Sequence, residues 1–351
     1  MHARAQRVDA AARSVLLDNG NTLGFDRLLI ATGSQPMRPP IPGIASAGVH
    51  PCWTLADARH IMALAQPGAR VLQMGAGFIG CIIMVALAAR GVHLSVVEMG
   101  DRMVPRMMGP TAGGMIKDWC VAKGVEVFTG TRVEAIEAGT PLQVRLSNGQ
   151  TLAAELVISA TGVRPAIGFL ENSGLTCLQG VLTDEHLQSN VPGIYAAGDC
   201  AEAFDKVSGK TIVSAIQPNA AEQARVAALN MVGQRTALRG VTQINVLDTL
   251  GLISASFGEW QGVPGGEHVE LTDHPAGRHL SLQFKDDVLV GCNSIGWTEH
   301  IGVMRGLVEG QVRLGEWKDT LKHDPTRLMQ CYLASAQGQQ AWAGAADTRR
   351  R

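Results

Sequence analysis

Gly75-Ala76-Gly77-Phe78-Ile79-Gly80 is the chain's only Gly-x-Gly-x-x-Gly, set between the apolar run Val71 to Met74 and the apolar-rich segment Phe78 to Arg90. A strand that turns through glycines into a helix brings backbone N–H groups up to a pyrophosphate, where unpaired donors and the helix dipole both favour an anion. The flanks strengthen this reading. Leu94-Ser95-Val96-Val97-Glu98 reads as a second strand ending in a carboxylate 23 residues after Gly75 (98 − 75), close to the spacing of roughly 20 that places an acid on an adenosine ribose. Dinucleotide binding is the first reading; a structural glycine turn is the other.

With 351 residues the chain can hold two or three domains. Its 41 glycines, at 46% hydrophobic and 17% charged residues, suit an α/β fold rich in tight turns. A net charge of −1 and a sequence pI near 6.8 give no field that would recruit nucleic acid or an anionic membrane. The start, Met1 to Arg7, has no apolar leader, and the stretch Phe78 to Ala89 is too short to span a bilayer, so a soluble cytoplasmic protein is expected. The seven cysteines show no Cys-x-x-Cys and no cluster with histidine, which argues against a metal site or a disulfide framework and for small buried apolar residues. His274 and His279, in a Pro/Gly loop, are expected on the surface.

An internal repeat organises the first two thirds. Residues 7–33 read as a β-meander with a hairpin at Asp18-Asn19-Gly20, and the run Arg27 to Ile30 ends in Ala31-Thr32-Gly33. Ser147-Asn148-Gly149 and Ala160-Thr161-Gly162 repeat both signals, each 129 residues later (148 − 19 and 160 − 31). Two matches in one register indicate a duplicated dinucleotide-binding unit. In the second copy the glycine loop precedes the meander. In the first it would fall at position −54 (75 − 129), ahead of Met1, so the first copy is expected to lack its first βαβ element.

Between the copies Arg38 to Gly43 is a rigid connector and Thr54 to Gln66 a short helix. After Glu98, a helix over Gly109 to Lys123 and a strand at Val125 to Phe128 complete a β-α-β-α-β order. Ile194 to Ala197 is a strand ending in Gly198-Asp199-Cys200, and a carboxylate there sits where open α/β sheets bind ligands; an ordinary turn aspartate is the bland alternative. The helix Ala220 to Met231 follows. From Val241, strands at Gln243 to Leu247, Leu252 to Phe257, His279 to Phe284 and Val288 to Cys292 precede helices near Thr298 to Val308 and Leu314 to Leu321, with a stop at Asp324-Pro325. Trp260, Trp297 and Trp317 are expected in that domain's core, with an oligomer or partner surface as their second use.

Phe25 to Gly33, Gly75 to Gly80 with Glu98, Ile158 to Arg164 and Ile194 to Asp199 together resemble the pyridine nucleotide-disulfide oxidoreductase superfamily, nearest the FAD-dependent NADH reductases of rubredoxin, ferredoxin and nitrite reductase type. The resemblance implies two Rossmann-like (doubly wound, three-layer) nucleotide-binding domains with β-meanders, the first incomplete, plus a small C-terminal α+β domain. The expected division is 1-48 with 163-236 for FAD, 49-162 for NAD(H), 237-335 for the C-terminal domain and a loose tail over 336-351.

It further implies that Thr32 and Gly33 close on FAD, that Gly198 and Asp199 meet its ribityl chain, and that the helix starting near Ala220 faces the flavin. Gly75, Gly77, Phe78, Ile79, Gly80 and Glu98 would hold NADH, with Gly162 beside it. Glu98 would favour NADH over NADPH, a preference tempered by Arg102 and Arg106. Hydride transfer to flavin and electron passage to a carrier such as rubredoxin or ferredoxin needs no general base, and no catalytic residue is assigned. One departure stands out: Ile82 occupies the place where the family usually carries a Glu near the nicotinamide. A truncated or degenerate NAD-binding module without redox activity is the alternative function.

Overall fold

A computed structural model of the chain describes residues 2–338, with side chains to residue 335. It forms two compact units, one from the residues up to Gln35 with Val163–Gln243, the other from Pro36–Gly162 with the residues from Ile244 onward.

The second unit carries a five-stranded parallel sheet in the order Val49–Pro51, Leu156–Ser159, Arg70–Met74, His93–Val97, Glu126–Phe128. Parallel strands are buried on both faces and therefore read as continuous apolar runs, and side chains alternate between the two. Val71, Leu94, Val96, Leu156 and Ile158 point to a core shared with the helices Leu55–Leu64, Phe78–Ala89 and Pro110–Ala122. Leu72, Met74, Val97 and Val157 point the other way, onto a meander of Val133–Glu137, Leu142–Leu146 and Thr151–Ala154. The Leu55–Leu64 helix starts at a capping box in which Thr54 and Asp57 satisfy each other's backbone N–H.

The first unit repeats this layering with fewer strands. Leu28–Ile30 and Ile194–Ala196 form a two-stranded parallel sheet, with Ile30, Ile194 and Ala196 facing the meander side and Leu29 and Tyr195 packed with Val226 and Ala227 of the helix Gln217–Met231. Its meander is Ala5–Asp9, Ser14–Leu17 and Thr22–Gly24. The duplication extends to individual pairs: Ser14↔Gly24, Val15↔Leu23 and Leu16↔Thr22 recur as Gln143↔Ala153, Val144↔Leu152 and Arg145↔Thr151, every residue displaced by 129 (143 − 14, 153 − 24). Both hairpins close alike, with Asn19 Oδ1 accepting from Asn21 N and Asn148 Oδ1 from Gln150 N, and with Gly20 and Gly149 at φ 82° and 86°. Among the described residues the parallel sheet through Leu28–Ile30 has two strands and that through Arg70–Met74 has five.

From Ile244 the chain builds an antiparallel sheet in the order Ile244–Thr249, Leu252–Gly258, Val288–Ile295, Arg278–Lys285, Glu267–Asp273, with helices Ile301–Gly310, Trp317–His323 and Leu328–Gly338 after it. Leu247, Leu252 and Ile295 join the same core as the Phe78–Ala89 helix. Two expectations are corrected here and two elements are added. Glu267–Asp273 is a strand although its residues are mostly exposed, because it is a charged sheet edge. His279 is 1% exposed, its Nδ1 2.8 Å from Thr272 Oγ1 on that edge strand, whereas His274 is exposed. Asp324-Pro325 stops the Trp317–His323 helix as expected, and Asp324 then caps a short turn that runs into a further helix, Leu328–Gly338; beyond residue 338, the expected tail lies outside the described residues. Trp260 is buried, but Trp297 and Trp317 are only half-buried, Trp297 lying under the Arg278 guanidinium. No helix among the described residues is long and apolar enough to cross a membrane.

Candidate nucleotide-binding sites

The three loop glycines of the second unit differ in what surrounds them. Gly75, at φ 94°, turns the chain out of the strand, and a Cβ on it would stand 2.5 Å from Ala160 O. At Gly80 a Cβ would meet Gly75 O at 2.6 Å and Gln73 Nε2 at 2.7 Å, so this glycine lets the helix lie against the loop. Gly77 is the exception. It is the helix N-cap, extended at φ −77° and ψ −170°, without a side-chain cap, and nothing lies within 4 Å of its Cβ position. One glycine makes the turn, one permits close packing, and one leaves backbone donors open to an approaching anion.

Glu98 faces the same loop. Its Oε2 accepts from Ala76 N and its Oε1 from Gly100 N, both at 2.7 Å, which fixes the carboxylate beside the turn. Phe78 and Ile79 form the half-buried first turn of the helix, and Gly162, at φ 107°, lies two residues beyond the Ala160 carbonyl against which Gly75 is packed. Sequence reasoning passed over Gln73, whose signal is a single polar residue in the run Val71 to Met74. It is fully buried, its Nε2 donates to Gly75 O at 2.9 Å, and its Oε1 has no partner among the described residues. Ile82 is half exposed and, with Val85, gives the helix an apolar outer flank where the resemblance leads one to expect a carboxylate.

A Gly75→Ala substitution tests the turn. An L-residue at φ 94° combined with overlap on Ala160 O is expected to destabilise the fold by about 2–4 kcal/mol. A thermal melt reads this directly, and an unchanged Tm would show that the loop relaxes freely.

The remaining sequence-predicted residues gather in the first unit. Thr32 Oγ1 donates to Ala166 O and Ala166 N donates to Gly33 O, both at 2.9 Å, pinning the Ala31-Thr32-Gly33 turn. The equivalent turn in the second unit repeats the pattern, with Thr161 Oγ1 on Met37 O at 3.3 Å and Met37 N on Gly162 O at 2.9 Å. Ser34 Oγ donates to Asp199 Oδ2 at 2.8 Å, which ties the turn to the carboxylate. Gly198, at φ 80°, donates its N–H to Gln223 Oε1 at 2.7 Å.

The helix after Asp199 begins at Gln217 with Pro218 in its first turn, three residues earlier than expected, so Ala220 is not its opening residue. A proline suits a first turn because its missing N–H has no partner there in any case. Ala220 still belongs to the cluster, its Cβ 3.6 Å from the Cβ position of Gly198. Gln223, which sequence reasoning missed, is fully buried, and its Nε2 donor has no partner among the described residues. An orphaned donor beside a carboxylate and an uncapped helix start suits a ligand rich in acceptor oxygens and hydroxyls.

Burial raises the thiols of Cys52, Cys81, Cys120, Cys177, Cys292 and Cys331, those of Cys81 and Cys120 to about 12, so they stay protonated at neutral pH.

The model of the pyridine nucleotide-disulphide oxidoreductase family matches residues 1–227. The chain belongs to that family. The NADH-dependent phenylglyoxylate dehydrogenase subunit epsilon of Aromatoleum evansii is 31% identical over 310 residues, 87% of this chain and 73% of the relative. The ferredoxin–NAD(+) reductase component of the p-cumate 2,3-dioxygenase system of Pseudomonas putida is 36% identical over 195 residues, 56% of this chain but 48% of its own length. The solved structure of a NAD-dependent persulfide reductase from A. fulgidus aligns with a TM-score of 0.82 at 27% identity, covering 90% of this chain and 63% of that one. The chain thus spans from about half to about three quarters of these relatives.

Proposed function

We propose that this chain is an NADH-dependent flavoprotein oxidoreductase that holds NADH on the Gly75–Glu98 loop and FAD on the Thr32–Asp199 cluster, and that it serves a small electron-carrier protein of the ferredoxin or rubredoxin kind. The observation that carries the reading is the open Cβ position at Gly77 between two glycines that are packed shut. When bound, the nicotinamide supplies a hydride and the flavin takes it up and passes electrons on. The protein's part is position and electrostatics. The start of the Phe78–Ala89 helix, which has no side-chain cap, would receive the pyrophosphate on its backbone N–H groups, and Glu98 would accept from ribose hydroxyls. Asp199, whose Oδ2 is engaged by Ser34 Oγ, would hold a ribityl hydroxyl with its carboxylate. The carrier partner rests on the reductase names among the relatives.

A second reading, an NAD-binding module without redox activity, is favoured by one observation: the first unit has a two-stranded parallel sheet and the second a five-stranded one. Visible absorbance separates the two. The first reading expects purified full-length protein to carry flavin that bleaches when NADH is added without oxygen. Protein that binds NADH yet takes up no flavin would decide for the second.

A further inference from the structure

We infer that Asn293, on the C-terminal strand Val288–Ile295, is a positioning residue that sets the coenzyme preference of the Gly75–Glu98 site by holding Arg102 away from it. The inference rests on the reading that this loop binds NADH. Four positions after Glu98 (102 − 98), Arg102 is placed by the chain to meet a 2′-phosphate, the group that distinguishes NADPH. A guanidinium matches phosphate with two parallel hydrogen bonds, so a free arginine here would oppose the selectivity of Glu98.

Arg102 is not free. Its Nε donates to Met108 O at 2.8 Å, its Nη1 meets Asp101 Oδ1 at 2.7 Å, and its side chain is only 18% exposed. Its stem lies against the Pro110–Ala122 helix, where a Cβ on Gly113 would stand 2.8 Å from Cδ and 2.9 Å from Cγ. What holds the arginine is therefore the shape of the segment from Met99 to Gly109. That segment is folded inward, with Met103, Val104, Met107 and Met108 buried, Val104 in the left-handed region at φ 49°, and Val104 N donating to Ala76 O at 2.9 Å.

Asn293 closes the segment. Its Nδ2 donates to Met107 O and its Oδ1 accepts from Gly109 N, both at 2.8 Å, so one amide spans the backbone on either side of Met108. Asn293 is 2% exposed, and its donor and acceptor are both needed. An apolar residue would leave Met107 O and Gly109 N unsatisfied, and the carbonyl of Met108 would lose its fixed place under Arg102. The C-terminal sheet thus reaches the coenzyme through the backbone that positions Arg102.

The test compares the Kd of NADPH with that of NADH, read by quenching of intrinsic fluorescence. In Asn293→Ala the ratio should move toward NADPH by about tenfold, the worth of a charge-assisted phosphate contact. The double variant Asn293→Ala/Arg102→Ala should return it to the wild-type value. A merely structural loss would weaken both coenzymes in step, and that result, or a shift that survives in the double variant, overturns the inference. Should Asn293→Ala not fold, Arg102→Ala alone decides: an arginine held off the coenzyme leaves the wild-type ratio unchanged, and a ratio that moves toward NADH overturns the inference. A wild-type protein that binds neither coenzyme would instead remove the underlying reading, and the inference with it.

Discussion

A Gly77→Asp variant is expected to fold as well as the wild type and to lose NADH binding by about a hundredfold or more. The two halves of this expectation come from the same feature. Gly77 is extended at φ −77°, a conformation any residue adopts, and its Cβ position has no neighbour within 4 Å. Aspartate is among the best N-cap residues, because its carboxylate accepts from the first free N–H groups of a helix and complements the dipole. The Phe78–Ala89 helix has no side-chain cap, so the variant gains one. Those same N–H groups are the ones a pyrophosphate would use. A carboxylate seated on them removes the donors and adds like-charge repulsion, so the stability of the helix start and the affinity for the anion move in opposite directions. A thermal melt together with an NADH titration reads both. Binding within a few fold of wild type would mean that the pyrophosphate does not approach at Gly77. The contrast with Gly75→Ala, which strains the fold, tells a site glycine from a turn glycine.

Much of this arrangement was legible in the sequence because it is local. Turn glycines, an acid at strand's end and an Asn-Gly hairpin announce themselves within a few residues, and the repeat was legible because two such signals recur at one offset. The pairing of Gln143 to Arg145 with Ala153 to Thr151 follows that offset residue for residue. What escaped depends on distant partners. The edge strand Glu267–Asp273 offers only Val269 and Leu271 as an apolar alternation, set among charged and polar residues, and it stays mostly exposed at the sheet edge. His279 looked exposed because its loop is polar, yet the sheet buries it opposite Thr272. Asn293 lies 184 residues from Gly109, and no pattern along the chain links them. Gln223 is one of many glutamines until the fold places its amide against Gly198 N.

Asp199 carries the second large prediction, and it separates the two nucleotides. Asp199→Ala is expected to lower flavin affinity by about ten- to a hundredfold, since a hydrogen bond to a charged group contributes about 1.5–3 kcal/mol. Flavin-to-protein ratio after dialysis reads this without any assay of turnover. Asp199→Asn is the informative companion. It can keep an acceptor for Ser34 Oγ, now 2.8 Å from Oδ2, but gives up the charge, so flavin retention should fall in the order Asp, Asn, Ala. An aspartate that merely stabilised its turn would give a different result: the Asn variant would hold flavin as wild type does, and the Ala variant would lower Tm in proportion to its loss of flavin. NADH affinity provides the control. The Gly75–Glu98 loop is fixed by its own hydrogen bonds, Glu98 accepting from Ala76 N and Gly100 N, so at saturating flavin its Kd for NADH should stay within about twofold in both variants. If NADH affinity at saturating flavin still fell in step with flavin affinity, the two clusters would not be separate sites, and the division of FAD and NADH between them would have to be abandoned.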